Sequence, residues 1–201
     1  ILILSYTSPA LYDLLIREKI TPTFSSEEEA YLFSRTAEKE GIKMPVHLAL
    51  DTGMGRIGFQ PTKESARAIG RIARLPGIEI EGIFSHYAKA DAEETETTRL
   101  QTALFDSFLK ELSHQGINPP ICHICNSAGT MVQEKKYDMC RLGIALYGFS
   151  PSDEVDAKEF DLRPAMEVVT HVIQVKEVEK GTRIGYGHIY TAPEKRKIAT
   201  I

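Results

Sequence analysis

Strand-like and helix-like segments alternate along most of this chain, and that alternation leaves few folds open. Ile1–Leu4 reads as a strand, and a helix starts at Ser8-Pro9 and runs to about Lys19. Ile20–Phe24 is a second short strand. Ser25-Ser26-Glu27-Glu28-Glu29 caps a helix to about Glu40; acids in a first turn suit the helix dipole. Val46–Leu50 is the third strand, followed by a helix over Thr62–Arg74 that Leu75-Pro76-Gly77 closes. Ile78–Ser85 is the fourth strand, Ala92–Gln115 a long helix, Ile121–Cys125 the fifth strand and Arg141–Leu146 the sixth. Strand–helix units with short connections imply a parallel sheet wrapped by helices, with right-handed crossovers. About six strands with no sign of an order reversal fit most of a (β/α)8 barrel of the TIM type. An open doubly wound sheet is the alternative.

The grammar changes after Tyr147. Gly148–Pro164 is loop-like, rich in Pro, Ser, Asp and Glu. Met166–Val178 then alternates and is rich in valine, Glu179-Lys180-Gly181 is a turn, and Arg183–Tyr190 reads as the returning strand. This is β-hairpin patterning without helices. It divides the chain near residue 160, into a barrel domain over 1–160 and the beginning of a C-terminal β domain over 161–201. The first residues have neither an initiator Met nor the basic flank of a signal peptide. They read as a core strand from which upstream sequence has been removed.

Composition excludes several function classes. The chain has 201 residues, 42% of them hydrophobic, enough for a sizeable core. Its net charge of -4 comes from intermixed acids and bases, with no basic stripe for nucleic acid. No apolar run approaches the ~20 residues of a membrane span. Three cysteines argue for a reducing, cytoplasmic setting rather than a disulfide framework. Cys122 and Cys125 resemble a chelating pair, but residues three apart on a strand point to opposite faces, so no metal is expected there.

The segment Asp51-Thr-Gly-Met-Gly-Arg-Ile-Gly-Phe59 follows the third strand. Its glycines suit a loop that turns tightly or approaches a ligand closely. Arg56 within it is a fixed cation for an anionic small molecule rather than a merely solvated side chain. The pattern also matches G-x-G-x-x-G. A dinucleotide site needs the helix to open within the glycines, and here Phe59-Gln60-Pro61 intervenes.

Further polar residues fall at strand ends, where barrel enzymes place their chemistry. His86 closes the fourth strand. Asn126 and Ser127 follow the fifth; Ser127 either N-caps a short helix or offers its hydroxyl to an anion. Arg141 and Gly143 sit where a charged group needs a partner and a backbone can approach closely. In a barrel lacking its first two strands, these segments would follow strands seven and eight, a frequent phosphate site.

Taken together, these residues resemble the alanine racemases, pyridoxal-phosphate enzymes with a barrel domain and a C-terminal β domain. The likeness covers nearly the whole chain. It runs through Ile1–Leu4, Asp51–Gly58, Gly82–Ala88, Cys125–Ala128, Arg141–Gly148 and Gly185–Ala192 in family order. The resemblance implies pyridoxal 5'-phosphate as cofactor, alanine as substrate, a role in D-alanine supply for the cell wall, and a homodimer in the full-length protein. It implies that Ser127 and the amides of Gly143 and Ile144 hold the cofactor phosphate. It implies that Arg141 faces the pyridine nitrogen, supported by His86, that Arg56 lies near the phenolic oxygen and substrate carboxylate, and that Leu4 and Asn126 line the cofactor.

The resemblance also implies two catalytic bases, a Schiff-base lysine upstream of Ile1 and a partner-subunit tyrosine beyond Ile201. Neither is in this sequence, so these residues alone are expected to be inactive. Many members carry a lysine, often carbamylated, where this chain has Ala49, which puts the pose of Arg56 in question. A serine or broad-specificity racemase, and a non-catalytic pyridoxal-phosphate-binding barrel, are the alternatives within the likeness; a dehydrogenase is the alternative outside it.

Overall fold

The computed structural model describes residues 1–91, 96–155 and 157–201. The chain forms two compact units, Ile1–Arg163 and Pro164–Ile201.

The first unit is built on four parallel strands in sequence order: β1 (Thr23–Phe24), β2 (Met44–Ala49), β3 (Ile78–Phe84) and β4 (Ile121–His123). The helices between them are α1 (Tyr12–Arg17), α2 (Glu27–Lys39), α3 (Lys63–Ile72), α4 (Glu96–His114) and α5 (Ser127–Val132). A sheet whose order follows the sequence has no switch point, which is barrel topology rather than doubly wound topology. The order continues past both ends of the ladder. Leu2 bridges Thr21 in parallel, and Asp138 N and Arg141 N donate to Cys122 O and Cys125 O beside β4.

Local chemistry sets the helix boundaries. Ser26 and Glu29 form a reciprocal capping box at α2, and Thr62 caps α3 through its hydroxyl; each such cap is worth about 1 kcal/mol. Gly77 enters β3 hard against α2, donating to Ser34 Oγ at 3.0 Å. A Cβ there would lie 2.2 Å from Ser34 O. One apolar core joins the helices to the sheet, with Phe24, Phe33, Val46, Leu48, Ile69, Ile83, Phe105 and Leu112 buried in it. Between β2 and β3 the register slips. Val46 pairs with Ile80 but His47 with Gly82, leaving Glu81 as the extra residue of a β-bulge.

Some expected elements take a different form. Ile1–Leu4 makes only an isolated bridge, because Thr21–Pro22 offers few partners before β1 begins. Arg141–Leu146 is not a strand. After one bond beside β4 the backbone tightens into a 3-10 turn over Ile144–Tyr147, closed by Gly148 at φ 84. The helix beginning at Pro9 starts as a 3-10 turn over Pro9–Leu11 before α1. Of the expected Ala92–Gln115 helix, residues 92–95 lie outside the described residues and α4 spans the rest to His114.

The second unit is a nested pair of antiparallel ribbons. β5 (Gln174–Val178) pairs with β8 (Arg196–Thr200), and between them β6 (Arg183–Ile184) pairs with β7 (Tyr190–Thr191). Only the end of the expected Met166–Val178 strand is a strand, and its partner is Arg196–Thr200 rather than Arg183–Tyr190. The reason is local: Gly185 (φ 74) and Gly187 (φ 69) break the expected return strand into a turn over Tyr186–His188.

Candidate active site

Leu4, His86, Asn126, Ser127, Arg141, Gly143 and Ile144 all line one cavity of about 440 Å³. They come from segments remote in sequence, brought together at the carboxyl ends of the parallel strands. The volume falls within the range of small-molecule sites. Met54 and Asp91 complete parts of the wall. Arg56 borders an adjoining recess with Ala49, Met54, Phe84 and His86, and Met54 and His86 line both the recess and the cavity.

The loop carrying Arg56 is pinned at its base. Asp51 Oδ1 accepts from Gly53 N and Gly55 N, each at 3.0 Å. Gly58 (φ 124) passes so close that a Cβ would meet Asp51 N at 2.7 Å. Thr52 Oγ1 lies 2.7 Å from Ser85 Oγ. Gln101 on α4 reaches in to donate to His86 O at 2.9 Å and Thr52 Oγ1 at 3.3 Å, and accepts from Ala88 N at 2.9 Å. A single buried amide thus ties α4 to the loop after β2 and to the segment after β3.

At one end of the cavity, the α5 N-cap is Asn126, whose side chain accepts from Gly129 N at 2.9 Å and donates to Tyr87 O at 3.2 Å. Ser127 is therefore released from capping. Its hydroxyl accepts from Gly143 N at 2.9 Å and Ala145 N at 3.3 Å. The backbone after β4 and the turn after Arg141 do converge. The second amide on Ser127 Oγ is that of Ala145, a residue sequence reasoning missed, because which amide of a 3-10 turn faces inward depends on its winding. Gly143 lies on the cavity wall beside Ser127, where an added Cβ would make only an ordinary 3.8 Å contact with Ser127 Oγ.

At the other end Arg141 is held by its neighbours. Nη2 donates to Ser85 O at 2.7 Å and Ile124 O at 3.2 Å and contacts His86 Nδ1 at 3.3 Å. Nη1 donates to His123 Nδ1. The guanidinium also sits 5.1 Å above the Phe84 ring. Burial lowers the Arg141 pKa to about 10, which leaves it cationic at neutral pH. His86 is lowered to about 4 by burial, then by Arg141 and Arg56. It is a neutral acceptor for Arg141. Behind Arg141, His123 meets His47, a pair sequence reasoning also missed. The available signal was a single imidazole inside each of two apolar strand runs.

The donor set suits a phosphorylated heterocycle. Ser127 Oγ accepts from the Gly143 amide, which leaves its own hydroxyl hydrogen to face an anionic group. Arg141 lines the same cavity, and among the described residues its Nε makes no hydrogen bond. The cysteines lie apart from this chemistry: all three are free, and burial raises Cys122 and Cys125 to about 11. Among the described residues, no group of metal-ligating side chains is found, and no helix is long and apolar enough to cross a membrane.

Known proteins place this geometry in a family. Residues 1–151 match the family model "Alanine racemase, N-terminal domain", and residues 165–201 match "Alanine racemase, C-terminal domain". The chain is 40% identical to alanine racemase 1 of Clostridium acetobutylicum, over all of this chain and 52% of that protein. The solved alanine racemase of Clostridium difficile 630 superposes with a TM-score of 0.85 at 39% identity, covering 98% of this chain and 52% of that one. A histidine racemase from Leuconostoc mesenteroides gives a TM-score of 0.79 at 27% identity, covering 98% of this chain and 53% of that one. The chain spans about half the length of the relatives it matches.

Proposed function

This chain belongs to the alanine racemase family, and from that premise we propose that the whole protein interconverts L- and D-alanine using pyridoxal 5'-phosphate. The observation that carries this reading is the joint placement of the Ser127–Gly143 cradle and the Arg141 guanidinium on one cavity. When bound, the cofactor supplies an electron-accepting ring that acidifies the Cα–H of an attached amino acid. The residues of this chain bind and tune it. Ser127 would hold the phosphate through its hydroxyl, with the backbone amides of Gly143 and Ile144 at the same turn, and Leu4 and Asn126 would line the cofactor. Arg141 donates a hydrogen bond to the ring nitrogen without giving up its proton, since a guanidinium is a donor only. By withholding its proton, Arg141 would favour simple proton exchange over transamination. His86 is a positioning residue, accepting from Arg141. Arg56 attracts the substrate carboxylate from the adjoining recess, with Ala49 beside it contributing no charge of its own.

The same reading gives a homodimer, a cytoplasmic setting consistent with three free cysteines, and a role in supplying D-alanine to the cell wall. The test is conversion of L-alanine to D-alanine by the full-length protein, read by a D-amino-acid oxidase coupled assay with and without added cofactor. No conversion in either condition sinks the proposal. Conversion of serine or histidine in preference to alanine selects the broader racemase reading, which the likeness to the Leuconostoc protein supports.

A further inference from the structure

Behind Arg141, on the sheet face that bears the site, runs a chain of polar contacts with no direct part in the proposed chemistry. Arg141 Nη1 donates to His123 Nδ1. His123 Nε2 lies 3.0 Å from His47 Nδ1, and His47 Nε2 lies 3.3 Å from Glu81 Oε2. Both imidazoles are buried, His47 at 2% exposure and His123 at 0%.

The donor-only guanidinium gives this chain a direction. His123 Nδ1 has to accept, so a neutral His123 carries its proton on Nε2. That proton goes to His47 Nδ1, which puts the His47 proton on Nε2. Glu81, an acceptor-only carboxylate, receives it. One end dictates every tautomer and the other end agrees. Burial favours neutral rings: His123 is pushed down to about 2 by burial, Arg141 and His47. His47 is lowered mainly by burial, against the pull of Glu81.

Two backbone features serve this chain. The bulge leaves Glu81 outside the ladder, and bulges re-aim side chains. Gly82, opposite His47, leaves room for the ring; a Cβ there would stand 2.2 Å from His47 Cε1.

We infer that Glu81 is a positioning residue for the cofactor's ring contact: through His47 and His123 it keeps His123 Nδ1 an acceptor and so holds Arg141 in its donating pose. The inference rests on the reading of Arg141 given under the proposed function. Without an acceptor at 81, His47 is free to carry its proton on Nδ1. His123 then answers with a proton on its own Nδ1, and two donors face each other at Arg141.

The experiment is nitrogen NMR of the full-length protein labelled with 15N at histidine, with and without pyridoxal 5'-phosphate, as wild type, Glu81→Gln and Glu81→Leu. In the wild type both rings are expected neutral, with the proton on Nε2 in either state. Glu81→Gln keeps a carbonyl acceptor and the same pattern; Glu81→Leu shows a second tautomer at both rings. In the loaded Glu81→Leu protein, the cofactor's visible spectrum shifts and kcat falls about tenfold with KM nearly unchanged, the scale of groups that orient a ligand at one remove. Glu81→Gln restores most of that loss. The Glu81 side chain is 39% exposed, so neither variant opens the core, and thermal melts confirm folding. A wild-type ring protonated on Nδ1, a charged ring at pH 7, or wild-type histidine spectra in Glu81→Leu overturns the inference. Expected tautomers in a protein that binds no cofactor overturn the proposed function instead.

Discussion

The two ends of the cavity are built on different principles. The Ser127 end is made of backbone: one hydroxyl, the Gly143 and Ala145 amides and a tight turn. The Arg141 end is made of side chains spread over three strands, each depending on the next. A backbone cradle tolerates change locally, because amides cannot be substituted away. A side-chain chain transmits change, because a buried polar group deprived of its partner keeps its desolvation cost.

The sharpest way to break this contrast is Arg141→Leu. It leaves buried acceptors at Ser85, Ile124 and His123 unpaired, so a loss of about 3 kcal/mol of stability is expected. Chemical denaturation measures it, and cofactor binding in the full-length protein should fall with it. Next is Gly82→Ala, whose methyl would collide with the His47 ring. It should cost about 1–3 kcal/mol as overpacking and perturb the histidine NMR signals although residue 82 is not on the cavity.

At the backbone end, Ser127→Ala should weaken cofactor binding about tenfold, the worth of one hydrogen bond to a charged group, with stability changed far less than by Arg141→Leu. Fluorescence titration with the cofactor gives the number. Equal losses at both ends would erase the distinction. A milder probe is acid. His86 and His123 have folded pKa values near 4 and 2, below the ordinary 6.5, and His47 is also lowered. The unfolded chain binds these protons first, so their stabilisation is full above about pH 6.5 and is lost as pH falls toward 4 and below. Melting temperatures over that range should decline, and less steeply in His123→Phe. The smallest effect belongs to Thr62→Ala, remote from both ends: about 1 kcal/mol from the lost cap, with cofactor affinity unchanged.

Much of this was legible from residue order. Strand–helix alternation, the Ser26–Glu29 capping box and the glycine loop are local patterns, and the structure shows them close to where periodicity put them. Residues at strand ends could be read as a cluster because parallel topology delivers them to one rim. Arg141–Leu146 misled because an apolar run beside a strand need not remain extended; Gly143 and Gly148 let it wind instead. Arg183–Tyr190 misled for a similar reason, through Gly185 and Gly187. The Glu81–His47–His123 chain was legible only as two lone imidazoles in apolar strand runs, not as a connected set. It depends on which residue faces which across two ladders, and no local pattern encodes that.

The slip beside Glu81 reaches further than its own side chain. Before it, even-numbered residues of β3 look toward the helices, as buried Ile78 shows; after it, odd-numbered Ile83 does. The strand changes parity in mid-course. Phe84, which stacks on His123 at 4.8 Å, and His86 two residues on therefore arrive on the side of the cavity and its recess. In an unbroken ladder the same letters would send them into the helical layer. Excising that one residue would turn the far half of the strand inside out, changing the rim of the barrel without touching a residue on it.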